Sequence, residues 1–454
     1  MKRTLQEIVN DAGGRLLVPG DEAAPITGFC TDSREARQGL LFVPIRGEKV
    51  DGHRFIGTAF QNGASASFMD EEYFSAHPEL PAGGPLILVP DCRDALQNVA
   101  AAYRETLSIP IVGITGSVGK TTAKEMVAQA LTAGFAVHKT PGNHNSQLGV
   151  PMTVCGIEKE HTAAVIEMGV SMPGEMARIA RVVKPTCAVI TNIGTAHIEF
   201  MRTKENTMAQ KARIADYLPA GGKLFVNGDD ELLPTLKESR GEQLVTFGLS
   251  EGCDWRAADI KETAEGTCFT CMGPGEHFKM FVPAAGAHNV RNALCSMAVA
   301  RFLKLPAEAV VRSVAAYRAP AQRQQIGEYR GITVIDDSYN ASPDSMRSAI
   351  DVLVSRPVTG KRAAVLADML ELGDYTRQGH FDTGRYAKEK GVELLIAVGP
   401  LSQETAKGYG DGAYWFADND SAAAFLKEQL LPGDAVLVKG SHSMRVGEIA
   451  KVLM

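Results

Sequence analysis

The hydrophobic patterning and the length of the sequence predict an α/β protein built from three units. Short apolar runs rich in Val and Ile alternate with helix-like stretches over 85–318 and again over 319–454. Such alternation is typical of βαβ units around parallel sheets. The chain has 454 residues, which is roughly two to four times the usual domain size. We therefore expect a small α/β unit over 1–84, a central parallel-sheet unit over 85–318 and a Rossmann-like α/β unit over 319–454.

The first unit begins with a predicted amphipathic helix. In the stretch MKRTLQEIVNDAGG, the side chains of Leu5, Ile8 and Val9 fall on one helical face. A mixed segment with an apolar run at Leu40–Ile45 follows, and the unit ends in PAGGPL. A cluster of Pro and Gly of this kind predicts a connector.

The second and third units each contain short apolar runs bounded by Gly, Pro or Asn, which predict strands buried on both faces. In the second unit these runs are Leu86–Val89, Ile111–Ile114, Ala163–Ile166, Cys187–Ile193, Leu224–Val226 and Leu244–Phe247. In the third unit they are Ile332–Ile335, Ala363–Leu366, Leu394–Val398, Tyr414–Phe416 and Ala435–Val438. Helices are expected between them, for example over Thr121–Leu131 and Gly174–Val183.

The composition is that of an ordinary soluble protein. Hydrophobic residues make up 45% and charged residues 22%, and the net charge of −6 argues against a nucleic-acid-binding surface. No run approaches the roughly 18 apolar residues of a membrane span, and the N-terminus lacks the apolar core of a signal peptide. The 8 cysteines are scattered, as is usual in a reducing compartment. We expect a cytoplasmic monomer that neither enters a membrane nor binds nucleic acid.

A strand–loop–helix segment carries the clearest functional signal. The apolar run Ile109–Ile114 leads into the sequence TGSVGKTT and then into a predicted helix. Glycines allow backbone N–H groups to turn toward an anion, and the N-terminus of the helix adds its positive dipole end. Lys120 would reach the β and γ phosphates of ATP or GTP, and the Thr121 hydroxyl would bind Mg²⁺. The expected nucleotide contacts are Gly116, Ser117, Val118, Gly119, Lys120, Thr121 and Thr122.

This loop and a series of further motifs resemble those of the Mur ligase family, which also includes folylpolyglutamate and cyanophycin synthetases. The motifs are TDSR at 31–34, GNHNSQLGVP at 142–151, EMG at 167–169, NIGTAHIE at 192–199, GAHNVRNAL at 286–294, DDSYNASPDSM at 336–346, ADMLELGD at 367–374 and KGSHSMRVGEI at 439–449. They occur in the family's order over almost the whole chain. The resemblance therefore covers all three predicted units.

The resemblance implies ATP-dependent formation of an amide bond. DDSYNASPDSM and DMLELGD look like the variants of the members that join D-alanyl-D-alanine to UDP-N-acetylmuramoyl-tripeptide, through an acyl phosphate and a tetrahedral intermediate. Both small molecules are then the expected partners. Whether the third residue of the tripeptide is diaminopimelate or lysine stays open. The alternatives are another ligase of the family that adds diaminopimelate, lysine or glutamate, a P-loop NTPase that is not a ligase, and an inactive protein that keeps the fold.

The resemblance also implies a site with ATP and two Mg²⁺ ions. Thr121, Glu167 and His197 match the family's metal-binding positions. Lys211 matches the lysine that the family converts to N-carboxylysine, which provides a further metal ligand. Arg213 departs from the usual acidic residue of that motif, and Lys204 is the alternative lysine. Lys120, Glu167, His197 and Lys211 are the expected catalytic residues.

The remaining matches are distributed among the three substrates. Asn289, Asn292, Arg323 and Asp337 match ATP-contacting positions, although helix capping is an alternative role for Asn289. Ser33, Arg34, Asn143 and Asn145 match positions that hold the UDP-linked substrate. Tyr339, Asn340, Pro343, Ser441 and His442 are expected near the incoming dipeptide, with Lys439 and Arg445 in the same loop. Because substrates would come from each unit, we expect an open form that closes on binding.

Overall fold

The computed structural model describes residues 1–47, 49–79, 81, 83–263 and 265–454. In that part of the chain the strands form four sheets, of which three are large and one is a pair of short strands. Each large sheet is parallel over at least part of its width. The predicted α/β class is confirmed.

The first large sheet has the strand order β2-β7-β6-β5-β4, and β1 pairs with β3 beside it. Strand β7 was predicted to belong to the second unit. It pairs instead with β2 and β6 of the first sheet. The strands are β1 Arg3–Thr4, β2 Arg15–Val18, β3 Pro25–Ile26, β4 Gly28–Cys30, β5 Leu40–Phe42, β6 Ala66–Asp70 and β7 Leu86–Val89. The helices are α1 Leu5–Ala12, α2 Ile56–Gln61, α3 Glu71–Ala76 and α4 Cys92–Glu105, with 3₁₀ turns at Ser33–Glu35 and Gly52–Phe55.

The central sheet has the order β16-β15-β14-β13-β12-β11-β8-β10-β9, parallel from β9 to β14 and antiparallel from β14 to β16. Its strands are β8 Ile111–Thr115, β9 Val137–Lys139, β10 Ala163–Glu167, β11 Cys187–Ile190, β12 Leu224–Asn227, β13 Leu244–Gly248, β14 Trp255–Glu262, β15 Thr267–Gly273 and β16 Glu276–Val282. Its helices are α5 Lys120–Leu131, α6 Gly149–Cys155, α7 Glu175–Val183, α8 Ile198–Met201, α9 Lys204–Ala212, α10 Lys237–Arg240, α11 Ala287–Phe302 and α12 Ala307–Ala315. 3₁₀ turns lie at Arg213–Ala215, Leu233–Leu236 and Gly241–Gln243.

The third sheet has the order β17-β18-β22-β19-β20-β21, in which the edge strand β17 is antiparallel to β18 and the other pairs are parallel. Its strands are β17 Gln325–Tyr329, β18 Ile332–Asp336, β19 Arg362–Ala367, β20 Leu394–Val398, β21 Ala413–Phe416 and β22 Ala435–Lys439. Its helices are α13 Pro343–Ser355, α14 Thr376–Glu389, α15 Gln403–Tyr409, α16 Asn419–Gln429 and α17 Gly447–Leu453, with 3₁₀ turns at Gly373–Tyr375 and His442–Met444.

Apolar packing joins the first unit firmly to the central one. A single buried cluster runs from Leu5 and Ile8 of α1, through Leu96 and Val99 of α4, to Ile179 of α7. The opposite face of the central sheet is covered by α5 and α11, which pack against each other. Because both faces are covered, the central strands are buried along their length, as their unbroken apolar runs predict.

Helix α1 shows how local sequence sets these boundaries. The Thr4 hydroxyl accepts a hydrogen bond from the Glu7 backbone N–H, and the Glu7 carboxylate accepts one from the Thr4 N–H. This reciprocal capping box satisfies two donors at the start of the helix. Gly13 ends the helix at φ 68°, a conformation that costs glycine little. In the described residues, no helix has the length and apolar character needed to cross a membrane.

Candidate active site

The predicted chemistry-bearing residues gather where three central strands end. The phosphate loop follows β8, Glu167 is the last residue of β10, and the segment that carries His197 follows β11. These three strands are neighbours in the sheet, with β8 in the middle. Parallel strands place their carboxyl ends at one edge, which is where open α/β sheets bind ligands.

The phosphate loop is shaped by glycines and fixed by the segment after β11. Gly116 has φ 152°, and a Cβ there would lie 1.9 Å from the Thr191 hydroxyl oxygen, so a side chain does not fit. The Val118 N–H donates to Asn192 Oδ1 at 2.8 Å. Helix α5 begins at Lys120 with no side-chain cap, which leaves its N-terminus oriented for an anion. The Lys120 amine donates to the Gly116 carbonyl at 2.8 Å and lies over the loop.

Glu167 is the focus of the buried polar contacts. Its Oε1 atom accepts hydrogen bonds from the Thr121 hydroxyl at 3.1 Å and from Asn145 Nδ2 at 2.7 Å. Its Oε2 atom is buried and has no hydrogen-bond donor within the described chain. A buried carboxylate oxygen without a donor, beside a threonine hydroxyl, fits a hard divalent cation such as Mg²⁺. The carboxylate and hydroxyl predicted to bind metal are therefore close together.

Lys124 lies one helical turn beyond Lys120 and is fully buried. Its amine donates to the carbonyl oxygens of Thr140 at 2.8 Å and Gly142 at 3.2 Å, and lies 2.9 Å from Glu125 Oε1. It also lies 3.8 Å from Glu167 Oε2. Lys124 therefore connects the metal-side carboxylate to the segment that carries Asn143 and Asn145.

The third unit contacts the segment after β11 through two carboxylates. Asp344 Oδ2, in the first turn of α13, accepts hydrogen bonds from the Thr195 N–H at 3.0 Å and from the Thr195 hydroxyl at 3.3 Å. Glu371 Oε2 lies 2.6 Å from His197 Nδ1, in a geometry that is not that of a hydrogen bond. His197 and Glu371 both have positive φ, 60° and 61°, which costs about 1–2 kcal/mol per residue. Strained backbone of this kind is concentrated at functional sites.

Three basic side chains in this region, Lys120, His197 and Lys211, have pKa values that burial lowers. Burial lowers the pKa of His197, and the positive charge of Lys120 lowers it further. Burial also holds the pKa of Lys211 well below its usual value, and Lys120 contributes in the same direction. Since burial disfavours the charged forms, a neutral imidazole and a neutral amine are favoured here.

On the other side of the phosphate loop, residues from α11 and the third unit meet. The buried Asn289 donates from Nδ2 to the Ala285 carbonyl at 2.8 Å, while its Oδ1 atom has no donor in the described residues. Arg323 donates to the Thr121 hydroxyl at 3.2 Å, and its guanidinium lies 3.9 Å from the centre of the Tyr339 ring. Arg323 thus spans the gap between the third unit and the phosphate loop.

A cavity of about 1270 Å³ joins these groups. The predicted site residues on its wall are Ser117, Val118, Gly119, Lys120, Thr121, Thr122, Asn143, Asn145, Glu167, His197, Asn289, Asn292, Arg323, Asp337, Tyr339, Asn340, Ser441 and His442. The size is appropriate for a nucleotide together with a second substrate.

Five other predicted residues lie off this wall. Gly116 belongs to the phosphate loop but does not line the cavity, Lys211 is buried on α9, and Pro343 is the first residue of α13. Ser33 and Arg34 lie in the 3₁₀ turn of the first unit, where the exposed Arg34 side chain pairs with Asp32 at 2.5 Å. These two residues, which are predicted to contact the UDP-linked substrate, are not among the residues that line the cavity.

Lys124, Asp344 and Glu371 were missed as site residues, although each carried a signal. Lys124 falls on the face of α5 that the apolar pattern marks as buried. Asp344 and Glu371 lie within DDSYNASPDSM and ADMLELGD, which were recognised as motifs without a role for these two residues. Cys268 and Cys271, the one cysteine pair with metal-ligand spacing, lie on β15 with one exposed and the other buried.

One further cluster of metal-ligand types lies in the first unit, where the ligand atoms of His53, Asp70 and Cys92 are within 4.8 Å of one another. Here the Asp70 N–H donates to His53 Nε2 at 3.2 Å, and the Cys92 N–H donates to Asp70 Oδ1 at 2.6 Å. The imidazole nitrogen and a carboxylate oxygen are thus already occupied by backbone donors. The cluster is explained as a contact that fixes α4 against β6.

Comparison with known families gives consecutive matches along the chain. The model described as "Mur ligase family, catalytic domain" matches residues 25–104. "Mur ligase middle domain" matches 114–300, and "Mur ligase, glutamate ligase domain" matches 323–442. The matches confirm the resemblance predicted from the motifs.

Individual relatives match over the full length. The UDP-N-acetylmuramoyl-tripeptide–D-alanyl-D-alanine ligase of Bacillus subtilis is 34% identical, over 100% of this chain and 99% of its own. The crystal structure of MurF from Acinetobacter baumannii has a TM-score of 0.92 at 29% identity, over 100% of this chain and 99% of that one. MurF from Thermotoga maritima in complex with ADP has a TM-score of 0.84 at 27% identity, over 94% and 97%. The chain belongs to the Mur ligase family.

Proposed function

We propose that this protein is an ATP-dependent ligase that joins D-alanyl-D-alanine to UDP-N-acetylmuramoyl-tripeptide, giving the UDP-linked pentapeptide, ADP and phosphate. The observation that carries the proposal is that a phosphate loop, a buried carboxylate with an oxygen that has no described donor, and two loops of the third unit meet in one cavity. The names of the relatives support the choice of substrates. The pentapeptide would be a precursor of the bacterial cell wall.

The first step brings two anions together. The terminal carboxylate of the tripeptide attacks the γ-phosphorus of ATP, the bond to the β-phosphate oxygen breaks, and an acyl phosphate and ADP form. Lys120, which lies over the phosphate loop, would neutralise charge on the phosphates, and Arg323 would approach them from the third unit. Mg²⁺ held by Thr121, Glu167 and His197 would supply the remaining positive charge. Positioning and electrostatic stabilisation account for most of such catalysis.

In the second step the dipeptide amine attacks the acyl carbon, and the tetrahedral intermediate expels phosphate as the amide forms. From the ammonium form, the amine loses two protons in all: one leaves with the expelled phosphate as HPO₄²⁻, and the other is released to solvent. Tyr339, Asn340, Ser441 and His442 are proposed to hold the dipeptide because they lie on the cavity wall contributed by the third unit. Pro343 would act only indirectly, as the first residue of α13.

Lys211 is proposed to carry N-carboxylysine. A neutral amine adds CO₂ to give a carbamate and releases one proton, and the lowered pKa of Lys211 favours the neutral amine. The carbamate would place a negative group beside His197 and Lys120 and provide a ligand for a second Mg²⁺.

For the substrates, we propose ATP contacts from the phosphate loop, Asn289, Asn292, Arg323 and Asp337. Asn143 and Asn145 would face the sugar–diphosphate of the UDP-linked substrate, with Ser33 and Arg34 near its uridine end. The protein is proposed to act as a cytoplasmic monomer.

We also propose three domains with one boundary moved from the sequence-based estimate. Since β7 pairs with β2 and β6, the first domain would extend through β7 and not end at 84, while α4 packs on α1 of the first unit and on α6 and α7 of the central one. The second boundary would stay near 318.

The test is phosphate release by the purified protein with ATP and Mg²⁺, with each substrate omitted in turn. Release that needs both UDP-N-acetylmuramoyl-tripeptide and D-alanyl-D-alanine, with the pentapeptide as product, is expected. Release with ATP alone would indicate an NTPase. Activity with another amino acid in place of the dipeptide would indicate a different ligase of the family. Lys120→Ala should abolish release, while Lys427→Met, on the exposed face of α16, should not change it.

A further inference from the structure

We propose that Glu371 binds the ammonium group of the incoming dipeptide and so selects an amine acceptor; this rests on the proposed function. Glu371 lies on the cavity wall in the loop after β19, and its carboxylate is 2.6 Å from His197 Nδ1. No lysine or arginine forms an ion pair with it in the part of the chain described. Its side chain is 54% exposed, so the carboxylate is open to a ligand from the cavity.

The charge around Glu371 favours a cation. The group nearest to its carboxylate is His197 Nδ1, and the 2.6 Å contact does not have the geometry of a hydrogen bond. Two other carboxylates of the cavity wall already have partners: Asp337 pairs with Lys439 at 2.6 Å, and Glu175 accepts from the Ser171 N–H at 2.7 Å. Glu371 is therefore a negative group whose partner is supplied by the ligand, and a charged hydrogen bond to an ammonium is the strongest available to it.

The position of Glu371 matches what the second step requires. The amine has to approach the acyl carbon beside the phosphate loop and the metal-side residues, and Glu371 touches one of these, His197. The loop of Glu371 is also held to the proposed dipeptide loop, because the Leu370 N–H donates to the Ser441 hydroxyl at 3.0 Å and the Ser441 N–H donates to the Asp368 carbonyl at 3.0 Å. One carboxylate thus lies between the reacting centre and the dipeptide loop.

Glu371 has an unusual backbone conformation. At φ 61° the residue occupies a conformation that non-glycine residues seldom adopt. A residue kept in such a conformation within a loop between two binding elements is expected to serve a ligand.

The test measures acyl-phosphate formation and amide formation separately in Glu371→Gln. The acyl phosphate is trapped with hydroxylamine, as a hydroxamate, when ATP and UDP-N-acetylmuramoyl-tripeptide are present without dipeptide. We expect Glu371→Gln to form hydroxamate within about twofold of the wild-type rate. We expect its KM for D-alanyl-D-alanine to rise about 10- to 100-fold, as for the loss of a hydrogen bond to a charged group. The KM values for ATP and the UDP-linked substrate should not change.

A second measurement excludes a merely structural effect. D-lactyl-D-alanine has the shape of the dipeptide but a hydroxyl in place of the ammonium, so its inhibition constant should be the same for wild type and Glu371→Gln. Glu428→Gln, on the exposed face of α16, is the matched control and should resemble the wild type in every assay.

Several outcomes would overturn the assignment. Equal loss of hydroxamate and of pentapeptide, with a higher Mg²⁺ requirement, would place Glu371 among the metal ligands. An unchanged KM for the dipeptide would remove it from the acceptor site. Failure of the wild-type protein to form either hydroxamate or pentapeptide would refute the proposed function itself, which the same experiment therefore tests separately.

Discussion

Replacing Lys124 by methionine should destabilise the central unit more than any comparable change of a surface lysine. Methionine has nearly the length of lysine and would fill the same buried space, so the charge and its hydrogen bonds are what is removed. Glu125 keeps a partner, since Lys139 also pairs with it. The carbonyl groups of Thr140 and Gly142 would lose their donor, and Glu167 would lose its nearby cation.

The size of the effect follows from these contacts. A hydrogen bond to a charged group contributes about 1.5–3 kcal/mol, so the two bonds to carbonyls give about 3–6 kcal/mol. Breaking a buried ion pair by removing one partner costs about 3–5 kcal/mol. For a unit of this size each kcal/mol lowers Tm by about 2–4 °C. The two figures are alternative estimates for the loss of one amine and are not added, so a loss of about 3–6 kcal/mol should lower the Tm of the central unit by about 6–24 °C.

Scanning calorimetry of the whole chain measures this directly, with Lys427→Met as control because that lysine is exposed on α16. The control should keep the wild-type Tm. Activity of Lys124→Met, measured well below its Tm, should also fall, because the loop with Asn143 and Asn145 loses its anchor to the metal side. A Tm within about 2 °C of wild type, together with unchanged activity, would refute this reasoning.

Three further changes test the site. Glu167→Gln should lower the rate of pentapeptide formation about 10²- to 10³-fold and raise the Mg²⁺ requirement in a metal titration, because it removes a preorganised charge beside the phosphates; an unchanged requirement would contradict the metal assignment. Asp344→Ala removes two hydrogen bonds to Thr195, worth about 1–3 kcal/mol together because Asp344, unlike Lys124, is partly exposed to water, and hydrogen exchange of the 194–197 segment should become faster, whereas equal protection would argue against the contact. In ¹³C-bicarbonate the wild-type protein should show a carbamate signal by NMR. Lys211→Met should show neither this signal nor activity, and the absence of a signal from both proteins would contradict N-carboxylysine.

Much of the fold could be predicted because the central and C-terminal strands are buried on both faces. Runs such as Ile111–Ile114 and Leu394–Val398 therefore lack polar interruptions, and each coincides with a strand in the structure. The sheet to which a strand belongs could not be predicted in the same way. Leu86–Val89 is equally apolar on both faces, and nothing local distinguishes a first strand of the central sheet from an interior strand of the first one.

The grouping of the candidate site residues could be predicted where a residue type follows from local chemistry. The phosphate loop and Glu167 lie at strand ends, and their neighbours come from the same sheet. The contacts of Glu371 with His197 and of Asp344 with Thr195 depend on how the third unit packs against the central one, with partners more than a hundred residues away. The residue pattern within one segment does not show which distant segment it will contact. These two contacts could therefore be found only from the structure.

Transfer of an oxygen atom tests the central claim, ligation through an acyl phosphate, most directly. UDP-N-acetylmuramoyl-tripeptide labelled with ¹⁸O in its terminal carboxylate would be converted with ATP, Mg²⁺ and D-alanyl-D-alanine, and the products weighed by mass spectrometry. Because the carboxylate oxygen that attacks the γ-phosphorus leaves with it, one ¹⁸O should appear in the released phosphate and the other in the new amide. Unlabelled phosphate would show that ATP is cleaved by water, and would contradict the account.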